Sequence, residues 1–296
     1  MIFRLLLLFL CFGMVQPVLA QLRAQDGITA LEAGDNAAAL SIWTPLAERG
    51  DVLAQYNLGV LLATGEADSA DLQLAQHWFE AAALQNHLGA QQALADLLAS
   101  QQEWDAARQW YTVAARAGAA RAQFSLGKML ERGLGGPSDP QQAVAWYKAA
   151  AEQGLRDAQF ALGATLAELG DDEAAADWFE AAALQGHVTA MHNLALALSR
   201  GIGRDQDMSM ARQLYLTAAA AGYAPSFYNL ALMQAQGRES AQNFRKALAL
   251  AVVSERLGHD GASALIDALH EVMASDVIRQ AEALADECQT DPGICG

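Results

Sequence analysis

A helix with both ends marked recurs along this chain, and no other feature narrows the choice of fold as far. Its clearest copy is DPQQAVAWYKAAAEQG, Asp139 to Gly154. Asp139 is an N-cap able to accept from free backbone N–H groups, and Pro140 takes the first helical position, where no N–H is needed. Gly154 supplies the left-handed residue that stops the helix. Between them Ala143, Trp146, Ala150 and Ala151 share one face at helical spacing.

The same marks occur seven times, so the chain is an array. The Trp146 column holds Ile42, Trp78, Trp110, Trp146, Trp178, Leu214 and Leu250. Three residues earlier stand Ala39, Ala75, Ala107, Ala143, Ala175, Ala211 and Ala247. The caps are Asp35, Asp71, Glu103, Asp139, Asp171, Asp207 and Asn243, with Glu103 too long for an ideal cap. The stops are Gly50, Asn86, Gly118, Gly154, Gly186, Gly222 and Gly258. A second helix, Ala-Gln-x-x-Leu-Gly at its best, alternates with the first and carries Leu58, Leu94, Leu126, Leu162, Leu194 and Leu230, with Ile266 closing the series. Successive copies are spaced 36, 32, 36, 32, 36 and 36 residues, and the difference of four falls in the turn inside each pair. Four residues is close to one helical turn, so the buried face keeps its direction.

AQFSLGKMLERGLGGPSDPQQAVAWYKAAAEQG (122–154) resembles a Sel1-like repeat, a relative of the tetratricopeptide repeat. The shared marks are the Ala-x-x-x-Leu-Gly helix, the Gly-containing turn, the capping Asp, Ala-x-x-Trp-Tyr-x-x-Ala-Ala and the closing Gly. The resemblance covers roughly residues 35 to 270. It implies an all-α fold, a right-handed α-α superhelix (solenoid) of about seven helical pairs, in which first-type helices line a concave face. It also implies an adaptor: a scaffold or regulator that binds a protein or peptide partner, with no chemistry and no cofactor. Such proteins serve envelope signalling, polysaccharide export machinery or surface-complex assembly.

Residues 1–20 read as a secretory signal: Arg4, the apolar run from Leu5, then Pro17-Val18-Leu19-Ala20, with cleavage expected after Ala20. The run falls short of the about 18 apolar residues of a membrane span, so no stable membrane insertion is expected after cleavage, and the mature chain is predicted to be periplasmic or secreted. Residues 21–34 form an N-terminal capping segment, 35–274 the repeats, and 275–296 a capping helix, Val277 to roughly Glu287, with a tail. Cleavage removes Cys11 and leaves Cys288 and Cys295 in the tail. In an oxidising compartment these two are candidates for a disulfide, the alternative being two free thiols. The mature chain has 34 acidic residues against 17 Lys and Arg, which disfavours nucleic acid and anionic membrane as partners.

Candidates for chemistry are few. Ser125-Leu126-Gly127-Lys128 matches the S-x-x-K motif of penicillin-recognising enzymes, but no K-T-G or S-D-N accompanies it and both residues fall on ordinary repeat positions. His87 and His187 occupy one repeat position after the stop, expected as an exposed turn, and no metal-ligand spacing surrounds them. Asp205-Gln-Asp207 begins like a calcium loop but lacks its central Gly and terminal Glu. No catalytic or metal site is assigned. The expected site is instead a groove bracketed by two columns. Two residues before the repeat leucine stand Tyr56, Gln92, Phe124, Phe160, His192 and Tyr228; one residue before it stand Asn57, Ala93, Ser125, Ala161, Asn193 and Asn229. Asn57, Asn193 and Asn229 suit a partner's backbone amides, and Tyr56, His192 and Tyr228 its side chains, unless these rings fill space in the core. A rival reading has exposed Trp and Tyr bind peptidoglycan or polysaccharide. It requires Trp78, Trp110, Trp146 and Trp178 to be exposed, whereas their spacing predicts burial.

Overall fold

In a computed structural model of the chain, residues 24–65, 71–238 and 242–296 are described. The expected signal and its cleavage point lie outside them. All regular structure among the described residues is helical. A first helix, α1, covers 24–32. Second-type helices are α2 (Asn36–Ala47), α4 (Leu72–Leu84), α6 (Trp104–Arg116), α8 (Pro140–Glu152), α10 (Asp172–Leu184), α12 (Met208–Ala220) and α14 (Phe244–Arg256). First-type helices alternate with them: α3 (Val52–Thr64), α5 (Leu88–Ser100), α7 (Ala120–Arg132), α9 (Arg156–Glu168), α11 (Val188–Arg200), α13 (Ala224–Gln236) and α15 (Ala262–Val272). A closing helix α16 (Ser275–Thr290) runs three residues beyond its expected end, and a 3-10 turn (Pro292–Ile294) follows.

The marks read from sequence act as caps and stops. Asp35, Asp71, Asp139, Asp207 and Asn243 each accept from the backbone N–H three residues on, at 2.9–3.0 Å, and Asp171 does so at 3.3 Å. Glu103 makes no such bond. Every stop is left-handed, including Asn86 at φ 65°. Among the described residues one further non-glycine residue is left-handed, Gln102 at φ 63°, in a short turn where its repeat equivalent is Gly170.

The packing of the described residues divides into two compact units, one up to residue 146 and one from residue 147 onward. Helices of about 13 residues are marginal alone, so each unit stands on buried columns. The alanines from Ala39 to Ala247 are at most 2% exposed, and the repeat leucines are at most 3% exposed. Small residues let helices approach closely. A Cβ on Gly59 would meet the Phe79 ring at 2.6 Å, and one on Gly163 the Phe179 ring at 2.8 Å. The expected burial of the tryptophan column is overturned. Trp78, Trp110, Trp146 and Trp178 are half-buried, whereas the next residue along, Trp43, Phe79, Tyr111, Tyr147, Phe179 or Tyr215, is at most 6% exposed. That residue lies four after the column alanine, on the same helical stripe.

A buried glutamine ties each pair to the one before it. In the first unit Gln55, Gln91 and Gln123 donate to the carbonyls of Ala47, Ala83 and Ala115 at 3.1–3.3 Å, and in the second Gln159 donates to Ala151 at 3.2 Å. Each adds a second bond to a carbonyl in the last turn of a second-type helix that already accepts from the N–H of the stop residue. At the C-terminus Cys288 and Cys295 form a disulfide with Cα atoms 5.6 Å apart and both side chains fully buried. Arg212 of α12 donates to the carbonyl of Gly296 at 2.5 Å, holding the tail down.

Candidate functional site: clefts between successive first-type helices

Successive first-type helices diverge over the buried aromatic of the second-type helix between them, and a cleft opens there. In the first unit one cleft of about 360 Å³ lies over Phe79, between α3 and α5, and one of about 260 Å³ over Tyr111, between α5 and α7. In the second unit a cleft of about 320 Å³ lies over Phe179, between α9 and α11, and one of about 200 Å³ over Tyr215, between α11 and α13. The four are repeat equivalents. The residue before the repeat leucine lines each of them: Ala93, Ser125, Asn193 and Asn229 in turn.

Asn193 and Asn229 line the Phe179 and Tyr215 clefts respectively. The Asn229 amide also donates to the carbonyl of Pro225 at 3.3 Å. Asn57 lines none of the four clefts, and its Nδ2 is buried without a hydrogen-bond partner. Tyr56, His192 and Tyr228 line none of the four clefts. The Tyr56 ring sits 4.5 Å from that of His87, and Tyr228 sits 4.8 Å from His259. His192 packs 5.3 Å from Tyr215 and 5.1 Å from Tyr223, and its Nδ1 bonds Ser226 Oγ at 2.9 Å. Burial, with His259 nearby, lowers its pKa to about 4, so the ring is neutral.

The expectation that His87 and His187 are exposed turn residues is also overturned. Both are half-buried N-caps whose Nδ1 accepts from the backbone N–H of Ala90 and Ala190, at 3.1 and 3.2 Å. His187 stacks on Phe160 at 4.3 Å. Burial lowers the pKa of each. Capping through Nδ1 requires that nitrogen unprotonated, so the proton of the neutral ring is on Nε2. The signal was present in the sequence, because Asp51 heads the same column and caps α3.

The chemistry of the floors differs. Phe79 and Phe179 offer apolar floors. In the Tyr111 cleft the phenol donates to Asp96 Oδ1 at 2.5 Å, and burial followed by that carboxylate pushes its pKa up. Tyr215 is pushed up by burial alone, while Ser199, Arg200 and Arg238 oppose the rise. Ser125 and Lys128 share the Tyr111 cleft, with the Lys128 ammonium 5.4 Å from the Phe124 ring centroid. Ser125 lies in the middle of α7, where backbone N–H groups are spent within the helix, so no oxyanion hole adjoins it. Among the described residues no group of three or more His, Cys, Asp or Glu is placed to hold a metal ion.

A family model described as Sel1 repeat matches residues 52–87, 105–118, 120–155, 156–187, 188–223 and 226–259. Among solved structures, c5321, a protective antigen present in uropathogenic Escherichia coli strains displaying an SLR fold, is 24% identical with a TM-score of 0.78. The match covers 93% of this chain and 62% of that one, so the chain spans less than two thirds of the c5321 structure. A Sel1 repeat protein from Oxalobacter formigenes is 23% identical with a TM-score of 0.63, over 78% of this chain and 96% of that one. These likenesses carry the fold, an all-α array of helical pairs. No protein of curated function matches the sequence.

Proposed function

Because the chain belongs to the Sel1 repeat family, we propose that it works as a protein–protein interaction scaffold or regulator of the cell envelope, periplasmic or secreted, binding its partner through the face formed by the first-type helices. Sel1 repeat proteins are generally interaction scaffolds, and their fold is typically non-enzymatic. No helix among the described residues is long and apolar enough to cross a membrane. The observation that carries the reading is the recurrence of one cleft at one repeat position, with an apolar or phenolic floor and a variable wall residue. Such concave sites, with few polar groups over an apolar base, suit side chains of an extended peptide. Sugar recognition by the half-buried tryptophans has less support, because Trp78, Trp110, Trp146 and Trp178 line none of the four clefts.

In-cell photocrosslinking tests this reading. A photoreactive residue replaces Asn193 on the cleft wall, and a control replaces Glu173 in the first turn of α10. A discrete protein adduct from the Asn193 site alone, identified by mass spectrometry of envelope fractions, is the expected result. No adduct, or equal adducts from both sites, overturns the assignment of this face.

A further inference from the structure

We propose that the cleft over Tyr215 receives a carboxylate side chain of an acidic peptide segment of a protein partner, while the adjoining cleft over Phe179 takes an apolar side chain of the same segment. This rests on the reading that the first-helix face binds the partner, and adds what the partner must carry.

The repeat supplies an internal comparison. Asp96 and Leu196 hold the same position, two residues after the repeat leucine. In the first unit Asp96 accepts a hydrogen bond from the Tyr111 hydroxyl at 2.5 Å. In the second unit that position is Leu196, and the contact recorded for the Tyr215 hydroxyl is Ser199 Oγ at 3.5 Å. Ser199 already donates its own proton to the carbonyl of Leu196 at 2.9 Å. The Tyr215 O–H is thus left to donate to Ser199 Oγ over a long 3.5 Å, at a place where its counterpart donates to a carboxylate. A buried phenol without a strong acceptor gains from a partner that supplies one.

Charge points the same way. Arg200 and Arg238 line the Tyr215 cleft, and both are exposed. Among the described residues neither forms an ion pair, although the chain carries 34 acidic residues against 18 basic ones. By contrast Arg204 is engaged by Asp177 and Glu180, and Arg256 by Asp286. Two guanidinium groups with no ion pair among the described residues, bordering a cleft with a hydroxyl in its floor, suit a carboxylate. The Phe179 cleft has the opposite character. Ala164, Ala175 and Phe179 line it, while Glu168 and Asp172 also border it and disfavour an acid there. Leu196 and Arg200 line both clefts. Packed helices lie roughly 8–10 Å apart, so a segment extended at about 3.3 Å per residue places its apolar and acidic side chains about three residues apart.

Selection of random twelve-residue peptides displayed on phage, against the full chain, tests this. The expected result is enrichment of Asp or Glu near Leu, Ile, Phe or Met. Two variants locate the effect: Arg200→Gln with Arg238→Gln, which removes exposed charges, and Leu196→Asp, which supplies the carboxylate from the chain as Asp96 does. Both should leave the thermal melt within about 2 °C, since an exposed unpaired charge and a residue accepted at the equivalent position contribute little to stability. Both should abolish the acidic preference, and Arg238→Gln alone, which borders the Tyr215 cleft and not the Phe179 cleft, should weaken it while keeping the apolar one. Glu→Gln in the best peptide should weaken binding to the parent chain at least tenfold. Apolar enrichment without acids, or an acidic preference that survives in both variants, overturns this inference and leaves the scaffold reading standing. Failure to enrich any peptide also overturns it, and the Asn193 crosslink then decides the scaffold reading separately.

Discussion

Gly163 faces the ring of Phe179 so closely that a Cβ built on it would lie 2.8 Å from Cδ1. Two effects compete when Gly163 becomes alanine. Helix propensity favours the change by about 1 kcal/mol, whereas overpacking a filled core costs about 1–3 kcal/mol. Gly163→Ala is expected to destabilise the protein in urea melts. In a Phe179→Leu background the ring is gone, and the same change should turn neutral or stabilising. A Gly163→Ala variant equally destabilised in both backgrounds would show that the contact is not the cause.

Gln102 holds a left-handed conformation that its repeat counterpart Gly170 adopts without a side chain. A non-glycine residue there costs about 1–2 kcal/mol in backbone strain, partly offset by the greater freedom of an unfolded glycine. Gln102→Gly is expected to stabilise the chain by about 0.5–1 kcal/mol, read as a rise in the urea midpoint at unchanged slope. A fall in midpoint would contradict this account.

The caps rank by geometry. Asp207 accepts from the Met210 N–H at 2.9 Å, while Glu103 makes no capping bond. Asp207→Ala should therefore cost about 1 kcal/mol, and Glu103→Ala a few tenths at most. Glu103→Asp should gain stability. Equal losses at the two alanine variants would remove the distinction.

Acid should loosen the second unit through His192. Its folded pKa of about 4 lies below its ordinary value of 6.5, so the unfolded chain binds the proton first. The resulting stability is fully present above pH 6.5 and is lost as pH falls through about 4, amounting to about 3 kcal/mol. His87 and His187, also lowered, act in the same direction because protonation of Nδ1 abolishes their caps. Melting measured at pH 7.5 and 4.5 should show the loss. Replacing the buried pair as His192→Phe with Ser226→Ala, residue types the same columns carry elsewhere, should reduce it. An unchanged pH profile in that double variant would exclude His192 as the source.

Most of the fold was legible because its marks are local. An N-cap, a left-handed stop and an alanine column each follow from a residue's own backbone preference, and seven copies align them. The clefts were legible only through one column, where Asn193 and Asn229 now stand on cleft walls. What escaped was orientation. In Trp-Tyr or Trp-Phe pairs two neighbouring aromatics differ by about 100° around the helix. Repeat spacing suggested the tryptophan, but packing against the neighbouring helices buried the residue after it. The glutamine column was visible in Ala-Gln-x-x-Leu-Gly, yet its acceptors, such as Ala47 for Gln55, belong to the preceding helix and are eight residues away. The cap at His87 was missed because histidine is an uncommon residue there, although Asp51 heads the column.

The wall shared by the Phe179 and Tyr215 clefts gives two neighbouring ligand side chains common contacts at Leu196 and Arg200. On the proposed reading, a side chain seated in one cleft touches Leu196 and Arg200, which also wall the other, and any coupling between the two would be reciprocal. Neighbouring side chains of a ligand are then read as overlapping pairs. A substitution on a first-type helix accordingly rewrites two adjacent specificities together, so selection for a new partner would move along the array in coupled steps.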